Sequence, residues 1–284
     1  MATINRDKAF QFVQASGDPV LSALAAYAIG EKSAAEALQA IQTYQRPDGG
    51  WTKTDKDFQG DLSVISTTWV ALQWLIWLGG DRTPALERTL SFLRTTQNEA
   101  GYWDEPEAIR QFNPPFWMLP GSYPNQLWFT SAVCCKLKEL GCEKEVNFEK
   151  ALEFLRMGWD GVRYPVFVHT HWMVMPLLSL HDTGSVQDKN IILGCKTFLQ
   201  KAIESSSADP GDLNAVAYAS RLAGDIADDL YHKALQHVLN NQADDGGWIT
   251  HYPEKHRPAF TVEALFLLKK LAHDEDMKPP PVCL

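Results

Sequence analysis

The sequence predicts an all-α protein built as a single (α/α)6 barrel, with six inner and six outer helices. Three observations predict this fold class. The pattern Gln-x-x-x-Gly-x-Trp occurs three times, at Gln45–Trp51, Gln97–Trp103 and Gln242–Trp248. Apolar helical segments alternate along the chain with amphipathic ones, and the sequence lacks strand-like alternation. We expect residues 1–284 to form one domain that ends in a proline-rich tail at 275–284.

The three copies of the pattern indicate an internal repeat. The first two copies begin 52 residues apart and the last two 145 residues apart, close to three units of about 48 residues. A period of this size fits one helix pair per unit, stacked on its neighbours around a shared core. In each copy we expect Gln to bond helix-end backbone groups, Gly to adopt a positive φ, and Trp to fold over the turn. We interpret these residues as structural rather than catalytic.

The amphipathic segments predict the six outer helices. Their apolar residues recur every three or four positions with Lys, Arg or Glu between them, as a helix with one face in water requires. In chain order these segments read DKAFQFVQ, AEALQAIQTY, PALERTLSFLRTT, NFEKALEFLRM, KNIILGCKTFLQKAI and DDLYHKALQHVLNN.

The remaining segments are apolar on nearly every side and predict six inner helices enclosed by the outer ones. They read PVLSALAAYAIG, LSVISTTWVALQWLIWLG, NQLWFTSAVCCKLKELG, FVHTHWMVMPLLSL, LNAVAYASRLAG and AFTVEALFLLKKLA. A glycine follows five of them, where a left-handed residue commonly ends a helix: Gly30, Gly79, Gly141, Gly184 and Gly224. The links from outer to inner helices are the longer ones, so we expect the functional residues at the end of the barrel where they meet.

Composition limits the function. The net charge of −9 disfavours a nucleic-acid partner, because phosphate binding depends on clustered Lys and Arg. Neither an apolar run of 18 residues nor a leader pattern is evident, so we expect no transmembrane segment, no signal peptide and a cytoplasmic location. The five cysteines lack CxxC spacing and are interpreted as reduced thiols.

The three repeated segments resemble the QW motifs of the terpene cyclase and prenyltransferase superfamily, which includes squalene–hopene cyclases, class II diterpene cyclases and protein prenyltransferase β subunits. The resemblance covers most of the chain, corresponds to a single barrel, and implies an apolar isoprenoid ligand. Class II cyclases of this family carry Asp-x-Asp-Asp at the start of an inner helix, where the middle Asp protonates a double bond or epoxide. Asp212-Leu213-Asn214-Ala215 is at the equivalent place, with Asn and Ala replacing two of the acids.

Prenyltransferase β subunits instead hold zinc through Asp-x-Cys on an inner helix and a His at the start of the last one. Asp212-x-Asn214 lacks the thiolate, although His256 lies near the last inner helix, so we expect no metal and no other cofactor. His169 and His171 are two residues apart and would splay by about 200° on a helix. We therefore expect one of them to point inward, rather than both to form a metal pair.

Several residues at the predicted barrel mouth are candidates for a proton donor. A carboxylic acid that apolar surroundings and a neighbouring carboxylate keep protonated can deliver a proton to carbon. The first candidates are Asp61, Asp212 and His169, and the alternates are Asp57, Glu254 and His256.

Aromatic residues of the inner helices and of the loop before the third one are candidates for substrate binding, because aromatic rings stabilise carbocations without offering a base. They are Trp69, Phe116, Trp117, Tyr123, Trp128, Phe129, Trp172 and Phe260. Arg257 is a candidate for an anionic head group. The alternative interpretation is that these rings simply fill the barrel.

Three functional hypotheses follow. The first is a class II-type terpene cyclase or isomerase, which protonates a linear isoprenoid or prenylated substrate and later loses a proton. The second is a non-catalytic isoprenoid-binding barrel that serves a partner protein, as the incomplete Asp-x-Asp-Asp pattern suggests. The third is a metal-dependent prenyltransferase or dehydratase. The sequence leaves a homodimer or a partner protein open.

Overall fold

The computed structural model describes residues 4–165 and 167–276, and twelve α-helices follow one another among them. They are α1 (Arg6–Ala15), α2 (Pro19–Ile29), α3 (Ala34–Ile41), α4 (Ile65–Trp77), α5 (Pro84–Thr96), α6 (Tyr123–Glu139), α7 (Phe148–Met157), α8 (Val168–His181), α9 (Val186–Glu204), α10 (Asp212–Ala223), α11 (Asp228–Asn240) and α12 (Arg257–Asp276). The amphipathic segments form the odd-numbered helices and the apolar segments the even-numbered ones. Within the described residues, extended pairing is limited to isolated bridges.

The described chain divides into two compact units. The first contains the residues up to 40, 209–218 and those from 233 onward, and the second contains residues 41–208 and 219–232. In the first unit, α12 packs against α1 and α2, and these two helices pack on each other. In the second unit, α6 packs against both α4 and α8, and α8 also packs against α9.

Local sequence explains where the helices begin and end. At α2, the Asp18 carboxylate accepts hydrogen bonds from the backbone N–H groups of Val20 and Leu21 at 2.8 and 2.9 Å. Pro19 then occupies the first helical position, where a missing N–H costs nothing. Gly30 ends the helix with a φ of 90°, a conformation that other residues adopt at a cost.

Each copy of the repeated motif forms the same turn. The Gln side-chain amide donates to the carbonyl of the shared Gly four residues later, and the Trp indole is fully buried. The Trp backbone N–H then donates to a Thr hydroxyl on the following inner helix. These Thr acceptors are Thr68 for Trp51, Thr130 for Trp103 and Thr261 for Trp248, at 3.2, 3.1 and 3.0 Å. Each seven-residue motif therefore depends on a threonine that comes later in the chain, on the next inner helix.

The motif Gln also ties its outer helix to the next one. Gln97 donates to the carbonyl of Asn147 at 3.1 Å and accepts from its N–H at 2.8 Å, immediately before α7. Gln242 makes the same pair of bonds with Asn5, immediately before α1, at 2.9 and 2.8 Å. Gln45 donates to the carbonyl of Ala85 in the first turn of α5 at 2.8 Å. The predicted structural role of the Gln residues matches these contacts.

Where the motif is missing, charged side chains join successive outer helices. Arg156 of α7 forms a bidentate pair with Asp188 of α9 at 2.8 and 2.9 Å. Lys196 and Gln200 of α9 both bond Asp229 of α11, at 2.6 and 2.5 Å. Because the first of these pairs is largely buried, its geometry fixes the spacing of α7 and α9 more tightly than a surface pair would.

Other predictions concern the ends of the chain and the thiols. The described helices include none that is both long enough and apolar enough to cross a bilayer. Cys134, Cys135, Cys142 and Cys195 are free and buried. Residues 275 and 276 of the predicted tail belong to α12, whereas the rest of that tail, including Cys283, lies outside the described residues.

Candidate active site

Asp212 is a buried carboxyl at the first position of α10. Asp212 is 4% exposed, and the hydroxyl of Tyr252 donates a hydrogen bond to its Oδ2 at 3.2 Å. Burial and, to a smaller extent, the nearby charge of Asp209 raise the pKa of Asp212, the hydrogen bond from Tyr252 lowers it, and the resulting pKa is about 7. A substantial fraction of the Asp212 carboxyl is therefore protonated at neutral pH.

Asp209, three residues earlier, has fixed hydrogen-bond partners. Its Oδ1 accepts from the N–H of Gly211 and from the hydroxyl of Thr250, both at 2.7 Å. Its Oδ2 accepts from the N–H of His251 at 2.8 Å. Three donors thus hold this carboxylate in place beside Asp212 and stabilise its negative charge.

The aromatic surroundings of Asp212 come from α12 and the loop before it. The ring of Phe260 stacks on that of Tyr252, with centroids 5.5 Å apart. Gly211 lies so close to Phe260 that a Cβ at this position would be 2.9 Å from the ring. Asn214, which replaces an acid of the family pattern, donates to the carbonyl of Phe260 at 3.0 Å. The loop and α12 thus pack against the start of α10, where Asp212 lies.

A second candidate region is a cluster of rings in the other unit, which we call the tryptophan cluster: Trp69, Trp117, Trp128, Phe129, Phe167, His169 and Trp172. Trp128 lies 6.3 Å from Trp69, 5.5 Å from Trp117, 5.4 Å from Phe129 and 5.6 Å from Phe167, measured between ring centroids. Most of the aromatic residues predicted to bind substrate therefore lie together, on α4, α6, α8 and the loop before α6.

The two histidines of α8 have separate surroundings, in agreement with their predicted splay. The ring of His169 lies 4.7 Å from Trp128 and 4.5 Å from Trp172, and burial lowers the pKa of His169 to about 4. His171 instead stacks on Phe198 of α9 at 3.9 Å and accepts a hydrogen bond from the N–H of Tyr164. An uncharged imidazole in the tryptophan cluster is a poor proton donor at neutral pH.

The other predicted acids lie in different surroundings. The carboxylate of Asp61 is 80% exposed and forms an ion pair with Arg46; α4 begins four residues later, at Ile65. Asp57 is half-buried, and its N–H donates to Asp55. Glu254, with a side chain 77% exposed, forms an ion pair with Arg257 at 3.1 Å. The half-buried His256 lies 6.3 Å from the ring of Tyr252.

Four predicted substrate-binding residues lie apart from the tryptophan cluster or at its margin, and one of them is Phe260, which stacks on Tyr252. Arg257 donates hydrogen bonds of 2.7 and 2.6 Å to Asp245 and lies over the ring of Phe12. Its guanidinium therefore stabilises the turn of the third motif, which contains Asp245. Tyr123 packs against Phe154 of α7. Phe116 is 71% exposed and reaches the cluster only through Phe167, at 6.2 Å.

Glu105 is a buried acid that sequence reasoning missed. Its two carboxyl oxygens accept hydrogen bonds from the N–H groups of Ile65 and Ser66 at 2.7 and 2.9 Å, which caps α4. Burial raises the pKa of Glu105 to about 7, against the lowering effect of these hydrogen bonds. The acid follows Trp103 by two residues, but a cap supplied from 40 residues away leaves no local pattern. Asp209 and Tyr252 were missed as well, because contacts between residues about 40 positions apart leave no local pattern.

Comparisons with known proteins agree with this architecture. The family model of the squalene-hopene cyclase C-terminal domain matches residues 16–157. No curated protein matches the chain in sequence.

Solved structures of the type II terpene cyclase MstE from Scytonema have a similar fold. The apo structure has a TM-score of 0.56 and 16% identity, and the match covers 92% of this chain and 88% of that one. A variant in complex with its substrate, geranylgeranyl dihydroxybenzoate, has a TM-score of 0.57 and 16% identity over 92% and 87% of the two chains. A variant in complex with its product, merosterolic acid A, has values of 0.56 and 15% over the same shares.

These likenesses confirm the predicted fold class, an all-α (α/α)6 barrel. The family match begins in the residues between α1 and α2, ends with α7, and contains the first two QW motifs. Since it spans half of the 284 residues, the chain belongs to the squalene-hopene cyclase C-terminal domain family, as the QW motifs predict.

Proposed function

We propose that this protein is a class II-type terpene cyclase or isomerase, in which Asp212 protonates a linear isoprenoid or prenylated substrate. The observation that carries the proposal is the buried Asp212 carboxyl, whose pKa is raised to about 7 next to Asp209. Family membership supports the chemistry, and the solved MstE complexes show that a protein of similar fold takes a prenylated aromatic compound.

The proposed step begins with proton transfer from the Asp212 carboxyl to a carbon of a terminal double bond. The π electrons form the new C–H bond and leave a carbocation, while Asp212 becomes a carboxylate. Internal double bonds then attack the cation and form rings, and loss of a proton to a base ends the reaction. The proton gained equals the proton lost, so the net change is an isomerisation.

The surroundings of three other candidate acids support the choice of Asp212 over them. Carbon is a weak base, so its protonation needs an acid that is both protonated and shielded from water. Asp61 and Glu254 are largely exposed and ion-paired. His169 is buried but uncharged at neutral pH, because burial lowers its pKa.

The test compares Asp212→Asn with the matched control Asp228→Asn, which changes a carboxylate 65% exposed on α11. Both variants and the wild type are incubated with geranylgeranyl diphosphate, squalene and geranylgeranyl dihydroxybenzoate, and products are analysed by mass spectrometry. We expect a cyclised product from at least one substrate, a loss of about 100-fold or more in Asp212→Asn, and little change in the control.

Two results would contradict the proposal. One is the absence of product from every substrate with folded wild-type protein. The other is full activity of Asp212→Asn together with loss of activity in Asp61→Asn, which would make Asp61 the acid.

A further inference from the structure

Four buried N–H donors lack an acceptor among the described residues, and all lie on three neighbouring inner helices. They are the indole Nε1 atoms of Trp69, Trp128 and Trp172 and the amide Nε2 of Gln73. Trp128 and Trp172 are 7% and 4% exposed. A buried polar group of this kind usually has a partner, since leaving it unpaired costs about 1–3 kcal/mol.

These donors belong to one connected part of the molecule, the tryptophan cluster and the adjoining turn of α4. The ring of Trp128 lies 6.3 Å from Trp69 and 4.7 Å from His169, and His169 lies 4.5 Å from Trp172. Gln73 is one helical turn beyond Trp69 and therefore on the same face of α4. The unpaired donors are thus concentrated in one region.

Other tryptophans of the same chain show the usual behaviour. The indole N–H of Trp51 donates to the hydroxyl of Thr89 at 2.8 Å, and that of Trp103 donates to the carbonyl of Leu93 at 2.9 Å. The indole N–H of Trp248 donates to the carbonyl of Val238 at 2.8 Å. Every motif tryptophan therefore has a protein acceptor, and the unpaired indoles occur where the sequence predicts ligand contact.

We propose that the tryptophan cluster binds an uncharged oxygen atom of an isoprenoid ligand, such as a hydroxyl or carbonyl oxygen, through the indole N–H groups of Trp128 and Trp172. The ligand class is then an oxygenated prenyl compound rather than a pure hydrocarbon. This inference rests on the proposed function only in taking the ligand to be an isoprenoid.

The chemistry of the cluster favours an uncharged acceptor. Indole rings carry no charge, and the imidazole of His169 is neutral because burial lowers its pKa to about 4. A diphosphate or carboxylate enclosed by these rings would be desolvated without a cation to compensate it. A hydroxyl or carbonyl oxygen loses less on desolvation and can accept from one or two indole N–H groups.

The test measures equilibrium binding of three radiolabelled probes: geranylgeraniol, the hydrocarbon of the same skeleton without the hydroxyl, and geranylgeranyl diphosphate. Trp128→Phe and Trp172→Phe remove an N–H but keep an aromatic ring. Trp117→Phe is the matched control, since Trp117 contacts Trp128 at 5.5 Å but its Nε1 is not among the unpaired donors.

We expect wild-type protein to bind geranylgeraniol more tightly than the hydrocarbon. Trp128→Phe and Trp172→Phe should each weaken binding of the alcohol by about 3- to 10-fold more than they weaken binding of the hydrocarbon. Trp117→Phe should affect both probes equally. In wild-type protein labelled with 15N, two indole N–H resonances should move downfield with the alcohol and not with the hydrocarbon, which provides a readout free of folding defects.

Equal losses for alcohol and hydrocarbon would mean that the rings act by packing alone and would overturn the inference. Tightest binding of the diphosphate, weakened in both Phe variants, would overturn the choice of an uncharged acceptor, and failure of every probe to bind would overturn the site. If the alcohol binds selectively but no substrate is cyclised, the proposed reaction fails while the oxygen-binding site stands.

Discussion

Asp209 and Asp212 are three residues apart, yet their carboxyl groups have different surroundings. The first accepts three hydrogen bonds from Gly211, Thr250 and His251, which stabilise a negative charge. The second is enclosed by Tyr252 and the residues around it, and burial raises its pKa. A buried carboxyl group with a raised pKa, such as that of Asp212, is suited to acid chemistry at neutral pH.

The pH dependence of catalysis tests this arrangement. Asp212 must be protonated to act, so we expect kcat/KM to fall as pH rises through about 7, by about tenfold per pH unit above the pKa. Tyr252→Phe keeps the ring that stacks on Phe260 but removes a hydrogen bond that lowers the pKa of Asp212. The descending limb should therefore move to higher pH, and Tyr102→Phe should leave it in place.

Measurement of product formation from about pH 5 to pH 9 would show this shift. A limb that moves to lower pH in Tyr252→Phe would mean that Tyr252 does not stabilise the ionised carboxylate.

His171 affects folding stability rather than catalysis. Its folded pKa is about 4, mainly because of burial, whereas the unfolded value is about 6.5. Between these values the unfolded chain binds more protons, so the free energy of unfolding falls as pH is lowered from 6.5 towards 4. From this group alone we expect a loss of about 2 kcal/mol between pH 8 and pH 5.

Urea unfolding at the two pH values would isolate this contribution. His171→Gln should lose about 2 kcal/mol less than the wild type does, and His232→Gln, which changes a side chain 67% exposed, should behave like the wild type. Identical losses in all three proteins would contradict the assigned burial effect.

A candidate residue could be predicted where the residues next to it in the sequence mark its position, and it was missed where only distant residues do. Trp128, Trp172 and His169 could be predicted as candidates because their positions on apolar helices are visible in the sequence. Asp212 could be predicted as a candidate because it begins an inner helix. The donors and acceptors around it, Thr250 and Tyr252, come from a loop about 40 residues later, and sequence spacing gives no measure of such contacts.

The motif turns depend on a glycine that approaches the next outer helix closely. Gly49, Gly101 and Gly246 have φ angles of 92°, 95° and 96°. A Cβ at these positions would overlap the carbonyl groups of Arg88, Lys150 and Lys8, respectively. Neither the positive φ nor the contact can be accommodated by a side chain without movement of a helix.

Gly49→Ala and Gly17→Ala separate these two effects. Gly17 has a φ of 73°, and no atom lies within 4 Å of the position that an alanine methyl group would take, so its replacement should cost only the backbone term of about 1–2 kcal/mol. Gly49→Ala should cost about 3–4 kcal/mol, since displacement of α5 adds to that term. Equal unfolding midpoints of the two variants, in heat or in urea, would show that the close approach of Gly49 to α5 adds nothing to the cost of the substitution.

The alternation of helix types was predictable because the outer segments carry charged residues along one face, whereas the inner segments are apolar on most sides. The connections between outer helices were predictable only where the QW motif occurs. The bidentate pair of Arg156 with Asp188 replaces the motif between α7 and α9, and an Arg and an Asp 32 residues apart give no signal above background. The start of α4 at Ile65 also depends on a distant residue, because Glu105 accepts the hydrogen bond from the N–H of Ile65.

For the molecule as a whole, the third motif joins residues from opposite ends of the chain. Gln242 bonds both the N–H and the carbonyl of Asn5, 237 residues away, and Asn5 in turn caps α1 through Lys8. Since α1 has only ten residues, it depends on such contacts more than on its own helix propensity.

Gln242→Ala should therefore loosen α1 selectively. We expect hydrogen exchange of the α1 amides to become about tenfold faster, as loss of two hydrogen bonds at the start of a ten-residue helix implies, while the amides of α6 exchange as before. Gln97→Ala, which removes the same bonds from Asn147, should affect α7 instead. If exchange in either variant accelerated equally in α1, α6 and α7, the substitution would lower the stability of the whole protein rather than loosen one helix.

The contact between Asn5 and Gln242 also sets an order of events during synthesis. The unit that holds Asp212 is assembled from three separate stretches of chain, whereas most of the other unit is the uninterrupted stretch 41–208. At about 5–20 residues per second, α1 leaves the ribosome roughly 10 to 50 s before Gln242 is translated. The nascent chain must therefore carry its first helices without their partners, and the surroundings of the acid form last.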